Sequence, residues 1–241
     1  MTGAQSLVLV PGLSGRTEVD FPFLMPMLAR SFDVVAVDLT GAAADGFDGL
    51  VDRVSSSVGA CAGAPLVVGY SLGAVVAASV GARGSIELAG LVLVAGWWQP
   101  SPKLVNFAST WATLRAEGSL ALDGVARQSL YSAEGWDWAR TLPPDASTDE
   151  LIALAARCDL SASDPLIDHP TLVIGCAHDE IATTRQSQLL FGAIADARYA
   201  EVRSGHAVTH ERPAELIELI SSFAAQPQRF PAGSLIAEQS T

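Results

Sequence analysis

The sequence predicts an α/β fold in which helices flank a mostly parallel sheet of about six strands, with an all-helical insertion in the second half. Three observations support this prediction. Short apolar runs alternate with helical patterns over residues 6–96, and strand patterns resume at residue 169. A glycine–serine–glycine turn joins an apolar run to an alanine-rich segment within residues 66–78. All five tryptophans lie in residues 97–168, where every pattern is helical.

This pattern divides the chain into a core, a lid and a tail. Residues 1–96 and 169–225 form the predicted core, and residues 97–168 form a helical cap, or lid, over one edge of it. Residues 226–241 are polar with scattered proline and glycine, so we expect a mobile C-terminal tail. The predicted strands are residues 6–10, 33–38, 66–69, 91–95, 170–175 and 198–202.

Strands that alternate with helices form parallel βαβ units with right-handed crossovers. In such sheets the ligand site lies at the carboxyl ends of the strands. The loops that follow the predicted strands therefore converge on one edge of the sheet, and candidate functional residues are sought there.

Composition narrows the range of partners. The 241 residues carry a formal net charge of −12, and Lys103 is the single lysine. A chain without a basic patch has little to offer nucleic acid or an anionic membrane surface. We therefore expect a small-molecule substrate and a monomer or homodimer, with no nucleic-acid or membrane partner.

The cysteines and the apolar segments indicate in which cellular compartment the protein is expected. Cys61, Cys158 and Cys176 are odd in number, lack a CxxC spacing and lie in or beside apolar segments, which indicates small buried hydrophobic residues rather than disulfides or metal ligands. The N-terminus shows no signal-peptide pattern, and no apolar run is long enough to span a membrane. We expect a cytoplasmic protein.

The turn around Ser71 is the strongest motif. Gly69-Tyr70-Ser71-Leu72-Gly73 fits the pattern G-x-S-x-G. The sequence pattern predicts a strand directly before it and a helix directly after it. Gly69 and Gly73 leave space where Cβ atoms would collide. The pattern predicts that Ser71 lies at the apex of a strained strand-to-helix turn with its hydroxyl available as a nucleophile.

A serine nucleophile needs a base, and the base needs a carboxylate to orient it. His206 follows the last predicted strand and is the candidate base, with His210 as the alternative. Asp179 follows the strand that ends at residue 175 and is the candidate acid, with Glu180 as its neighbouring rival. The order serine, aspartate, histidine is the order expected for this architecture.

The remaining candidates would bind the substrate. Backbone N–H groups of Leu72 and Leu13 are the expected donors to a developing oxyanion. Ser14 could add a hydroxyl to the pocket or simply stabilise its own turn. The tryptophans either form the core of the insertion or line an apolar pocket. Those that we place in the pocket are Trp97, Trp98 and Trp111.

Together these segments resemble the α/β-hydrolase fold superfamily. The resemblance covers nearly all of residues 6–224. It implies a serine hydrolase with a helical cap, a Ser71–Asp179–His206 triad, no cofactor and no metal. One departure from the pattern lies in the loop after the first strand, where Pro11-Gly12 stands in place of the His-Gly that often precedes the oxyanion loop. The supporting segments are residues 10–15, 38–41, 69–73, 170–179 and 205–206.

We expect hydrolysis of a carboxylic ester, thioester or lactone of a small, largely apolar substrate through an acyl-enzyme. One alternative is a lyase or cyclase of a biosynthetic pathway, in which His206 acts as a base without an acyl-enzyme. A second alternative is a ligand receptor that retains the three residues. Fold alone does not decide among these functions.

Overall fold

The computed structural model describes residues 4–84, 86–136, 139, 142–163 and 166–236. The strands are β1 (Ser6–Val10), β2 (Asp33–Ala36), β3 (Leu66–Tyr70), β4 (Gly90–Val94), β5 (Thr171–Cys176), β6 (Ala197–Val202) and β7 (Leu235–Ile236). The helices are α1 (Thr17–Asp20), α2 (Leu24–Leu28), α3 (Gly46–Gly59), α4 (Leu72–Ala82), α5 (Pro102–Ala116), α6 (Leu122–Leu130), α7 (Ala146–Ala155), α8 (Thr184–Ala193), α9 (Val208–Glu211) and α10 (Pro213–Ala225). Short 3₁₀ turns cover Ala42–Asp45 and Leu160–Ala162.

The seven strands form one sheet in the order β2-β1-β3-β4-β5-β6-β7, and all neighbouring strands are parallel. This confirms the predicted α/β class and the predicted parallel sheet. Strands β1, β3, β4 and β5 are buried along their whole length, as expected for apolar runs covered on both faces.

Helices cover both faces of the sheet. Successive residues of β1 point to opposite sides, so Val8 and Val10 belong to one apolar cluster and Leu7 and Leu9 to another. The first cluster includes residues of α3, α4 and α8, and the second includes residues of α2 and α10. The sheet is therefore the middle layer of three.

The C-terminal segment differs from its prediction. Leu235 and Ile236 form β7, which extends the sheet beyond β6 by pairing with Tyr199 and Ala200. The tail is also tied to β6 by the Arg198 guanidinium, which donates from Nε to the carbonyl oxygen of Phe230 at 2.7 Å. A two-residue apolar pair in a polar segment carries no strand periodicity, which is why the sequence predicted six strands and a mobile tail. Residues 237–241 lie outside the described part.

Between β4 and β5, the described residues of segment 97–168 form helices and turns without a strand. This segment is called the helical insertion below. Side chains cap two of its helices: Ser101 Oγ accepts from the Leu104 N–H at 3.0 Å at the start of α5, and Asp145 Oδ1 accepts from the Thr148 N–H at 2.9 Å at the start of α7. Within the described ranges of the chain, no helix is long and apolar enough to cross a bilayer.

Candidate active site

Ser71 lies in the turn between β3 and α4 and has an unusual backbone conformation. Its φ and ψ are 56° and −123°, in a region that residues with a side chain seldom adopt. The turn is held by hydrogen bonds from the Ser71 N–H to the Val94 carbonyl at 2.8 Å and from the Ala74 N–H to the Ser71 carbonyl at 2.9 Å. The strained turn predicted from the motif is therefore present, and α4 begins directly after the serine.

The two glycines of the motif allow α4 to pack against the sheet. A Cβ atom on Gly69 would lie 2.3 Å from the Gly73 carbonyl oxygen. A Cβ on Gly73 would lie 2.3 Å from the Pro11 carbonyl oxygen and 2.4 Å from that of Val10. Backbone atoms cannot retreat as a flexible side chain could, so neither position accepts a larger residue without a shift of the helix or the β1 loop.

The three residues predicted to act together are brought together. His206 Nε2 lies 2.7 Å from Ser71 Oγ, and His206 Nδ1 lies 2.8 Å from Asp179 Oδ2. All three side chains are buried. With the Nδ1 proton donated to Asp179, Nε2 is free to accept the hydrogen bond of the Ser71 hydroxyl.

Asp179 is fixed by the loop that follows β5. Its second carboxylate oxygen, Oδ1, accepts hydrogen bonds from the N–H groups of Ile181 at 2.7 Å and Ala182 at 2.8 Å. One oxygen is thus anchored to the backbone while the other holds the imidazole. The alternative acid, Glu180, is exposed and forms an ion pair with Lys103 instead.

His206 is positioned by its backbone as well as its ring. The Tyr70 hydroxyl donates to the His206 carbonyl at 3.0 Å, and the two rings lie 5.5 Å apart between centroids. Burial raises the pKa of the Tyr70 phenol well above its usual value, so this hydroxyl keeps its proton. The alternative base, His210, lines the same cavity in α9, but the hydroxyl of Ser71 is bonded to His206.

A cavity of about 30 Å³ lies in front of Ser71. This volume admits a water molecule or two and no substrate of ordinary size. The core and the helical insertion both contribute to its wall. The lining residues are Leu13, Val19, Asp20, Tyr70, Ser71, Leu130, Tyr131, Leu142, His206, Ala207 and His210.

Direct contacts close the insertion over this cavity. The Ala207 N–H donates to the Leu130 carbonyl at 2.8 Å. The Glu211 carboxylate accepts from the Ser132 N–H at 2.8 Å and from the Ser132 hydroxyl at 2.6 Å. A Cβ on Gly205 would lie 2.5 Å from the Ser132 nitrogen. The chain on either side of His206 thus touches the C-terminal end of α6 and the turn after it.

The two predicted oxyanion donors lie in the loop after β1 and at the start of α4. Leu13 lines the cavity, and Leu72 is the first residue of α4. Neither N–H donates to an acceptor in the described part of the chain. Ser14 differs from its pocket assignment: its hydroxyl donates to the Arg16 carbonyl and accepts from the Arg16 N–H, both at 3.1 Å, and it is not among the lining residues. These two hydrogen bonds stabilise the turn.

The tryptophans assigned to the pocket do not line this cavity. Trp97 is fully buried and donates from Nε1 to the Cys158 carbonyl at 3.0 Å. Trp111 donates from Nε1 to Asp149 Oδ1 at 2.7 Å and packs near Phe107. Trp98 belongs to the same apolar cluster. Their burial in an apolar cluster agrees with the alternative interpretation of their pattern, in which they are core residues. Trp136 is exposed, and Trp138 lies outside the described residues.

Sequence reasoning missed most of the cavity wall. Leu130, Tyr131 and Leu142 come from the insertion, where no motif marks them. Asp20 is a buried carboxylate at the end of α1 whose Oδ2 accepts from the Gly12 N–H at 2.6 Å. Burial raises the pKa of Asp20 from 3.8 to about 6, and hydrogen bonds and the nearby His206 offset this only in part. No motif in the neighbouring sequence predicts that Asp20 lies on the cavity wall.

The arrangement can move a proton between the Ser71 hydroxyl and His206 and can balance the resulting imidazolium with Asp179. Among the residues that the structure describes, no group of three or more His, Cys, Asp or Glu side chains is arranged to hold a metal ion.

Comparisons with known proteins agree with this fold. A model described as alpha/beta hydrolase family matches residues 7–219. Pyrrolizixenacetamide deacetylase of Xenorhabdus hominickii is 29% identical over 248 residues, covering 90% of each chain. Among solved structures, BpoC of Mycobacterium tuberculosis H37Rv has a TM-score of 0.79, 21% identity and 94% coverage of both chains. The enol-lactonase of Burkholderia xenovorans LB400 has a TM-score of 0.73 and 21% identity, covering 93% of this chain and 92% of that chain. The chain belongs to the α/β hydrolase family.

Proposed function

We propose that this protein is a serine hydrolase that cleaves the acyl bond of a carboxylic ester, thioester or lactone in a small, largely apolar substrate. The observation that carries the proposal is the pair of hydrogen bonds that links Ser71 to His206 and His206 to Asp179. The names of two similar proteins, a deacetylase and an enol-lactonase, describe enzymes that act on acyl groups, which supports the same class of reaction.

In the first half of the proposed reaction, Ser71 Oγ attacks the carbonyl carbon while its proton passes to His206 Nε2. The electron pair of the carbonyl π bond moves to oxygen, where the N–H groups of Leu13 and Leu72 would stabilise the charge. The tetrahedral intermediate then expels the alcohol or thiol, which takes the proton from His206. The acyl group remains on Ser71.

In the second half, water repeats the attack. His206 accepts a proton from the water as its oxygen bonds to the acyl carbon, and the proton returns to Ser71 Oγ as the acid leaves. Asp179 accepts the hydrogen bond of His206 Nδ1 throughout and holds the imidazole in place. The buried position of all three side chains strengthens these electrostatic interactions by excluding water.

The helical insertion would act as the lid of this site. The cavity in front of Ser71 is too small for a substrate, and Leu130, Tyr131 and Leu142 close it from the insertion. Entry therefore requires these residues to move. The hydrogen bonds of Leu130 with Ala207 and of Ser132 with Glu211 are those that opening would break.

Turnover of a panel of p-nitrophenyl esters, thioesters and lactones tests the proposal. The wild type is expected to hydrolyse short-chain members, and Ser71→Ala to lose activity by about 10⁶-fold. Ser79→Ala is the matched control, because Ser79 lies on α4 and its hydroxyl donates to the carbonyl of Val75. Full activity of Ser71→Ala would reject the proposal.

Hydrolysis is separated from the alternatives by the products in H₂¹⁸O. A hydrolase places one ¹⁸O atom in the released acid, as measured by mass spectrometry. A lyase or cyclase gives an unlabelled product, and a ligand receptor gives tight binding with negligible turnover on every substrate. Either of these results would replace the hydrolase proposal.

A further inference from the structure

Asp20 is a buried carboxylate on the cavity wall, and the proposed reaction gives it no role. It is 4% exposed and shares the cavity with Ser71 and His206. A buried carboxylate is costly to ionise unless its surroundings stabilise the charge. Its contacts and its neighbours indicate what the charge does.

The first contact is with the loop after β1. Asp20 Oδ2 accepts the Gly12 N–H at 2.6 Å, and the Gly15 N–H closes the loop onto the Gly12 carbonyl at 3.1 Å. Gly12 lies against the nucleophile, since a Cβ there would be 2.9 Å from Ser71 Cβ. The carboxylate therefore fixes the loop at its closest approach to Ser71, one residue before the N–H of Leu13.

The second feature is the charge that Asp20 adds to the cavity. The titratable groups that share the cavity with it are His206 and His210 from the segment after β6, Tyr70 from β3, and Tyr131 from the insertion. An ionised Asp20 and a protonated His206 carry opposite charges within the same cavity and attract each other. In the proposed reaction His206 becomes positive each time it accepts a proton.

We propose that Asp20 is a positioning residue for acyl transfer: its ionised carboxylate holds the Gly12–Ser14 loop so that the Leu13 N–H faces the oxyanion, and its charge stabilises the imidazolium of His206. This inference rests on the hydrolase function proposed above. Asp20 acts through the loop and through His206, not on the substrate.

The test compares Asp20→Asn with the wild type in kcat, KM and their dependence on pH, using a p-nitrophenyl ester. Asparagine can still accept the Gly12 N–H but carries no charge, and charge-assisted hydrogen bonds are the stronger kind. We expect kcat to fall about tenfold with KM within about twofold, which is less than the loss of an oxyanion donor. Glu18→Gln, at an exposed position on the same short helix, is the matched control and leaves both unchanged.

The pH dependence identifies the ionised form as the active one. Because the pKa of Asp20 is raised to about 6, the wild type loses this charge between pH 7 and pH 5. At pH 5 the protonated aspartic acid resembles asparagine, so the ratio of wild-type to Asp20→Asn kcat/KM falls from about ten at pH 8 toward one. A ratio that stays constant with pH would overturn the inference.

Thermal stability separates positioning from a structural role. The raised pKa means that the folded protein binds more protons than the unfolded chain between about pH 4 and pH 6, so ionised Asp20 lowers stability above that window. We expect the Tm of Asp20→Asn at pH 8 to be higher than that of the wild type although its kcat is lower. A lower Tm with unchanged kcat would show a purely structural residue. An increased KM with unchanged kcat would show a substrate-binding residue, and either result refutes the inference.

Labelling with a fluorophosphonate distinguishes failure of the inference about Asp20 from failure of the hydrolase proposal on which it rests. If the wild type is not labelled at Ser71, the hydrolase proposal fails. If the wild type and Asp20→Asn are labelled at equal rates and turn over equally, only the inference about Asp20 fails. Slower labelling of Asp20→Asn, matching its lower kcat, supports both.

Discussion

The two halves of the cavity wall differ in how the chain determines them. On the core side, Ser71, Asp179 and His206 each follow a parallel strand, so the sheet brings them to one edge whatever the loops contain. On the insertion side, Leu130, Tyr131 and Leu142 are placed by the packing of helices against one another. The comparison teaches that sheet topology determines where Ser71, Asp179 and His206 lie, whereas helix packing determines the shape of the opposite cavity wall.

The largest expected effect is on the core side. Asp179→Asn preserves shape but removes the charge that orients and balances His206, so kcat should fall by about 10⁴-fold. The matched control is Glu180→Gln, because Glu180 is exposed and paired with Lys103. Steady-state kinetics of both variants on one activated ester measures the difference. Equal losses in the two variants would mean that the carboxylate bonded to His206 has no special role.

A smaller effect is expected on stability, and it again separates the two regions. Gly73→Ala places a Cβ against the backbone oxygens of Pro11 and Val10, so the free energy of unfolding should fall by about 1–3 kcal/mol. Gly124→Ala, in α6 of the insertion, meets no atom within 4 Å and should raise it by about 0.5–1 kcal/mol. Urea unfolding of both variants measures whether each substitution lowers or raises the free energy of unfolding. A stable Gly73→Ala variant would contradict the close packing of α4 on the β1 loop.

The smallest effects test which insertion residues face the substrate. Leu130→Ala should shift the preference toward longer acyl chains by about tenfold, since it enlarges the cavity wall. Trp111→Phe removes the hydrogen bond to Asp149 and should lower the free energy of unfolding by about 1 kcal/mol, with unchanged chain-length preference. Measuring kcat/KM of both variants across a series of acyl-chain lengths shows which side chain faces the substrate. A changed preference in Trp111→Phe alone would restore the tryptophans as pocket residues.

The sequence was sufficient for the features that follow from local pattern and topology. The strand before Ser71, the glycines beside it and the loops holding Asp179 and His206 all carry signals within a few residues. The resemblance to the α/β-hydrolase superfamily extended those signals to the whole core, and the parallel sheet confirms the fold class.

Features that depend on long-range packing could not be predicted. A buried tryptophan has the same sequence signature whether it faces helices or a substrate, so the sequence could not show that Trp97 and Trp111 lie away from the cavity in front of Ser71. The strand at Leu235–Ile236 is too short to show periodicity. Asp20 lies at the end of a four-residue helix, and its carboxylate accepts a hydrogen bond from the Gly12 N–H. No pattern in the neighbouring sequence predicts that contact.

The central claim is that Ser71 is a nucleophile activated by His206. Fluorophosphonate labelling followed by intact-protein and peptide mass spectrometry tests it most directly. The account predicts one adduct per chain on the peptide containing Ser71, no adduct in Ser71→Ala, and labelling slowed by orders of magnitude in His206→Gln. An adduct on another residue, or equal labelling of Ser71 with and without His206, would contradict it.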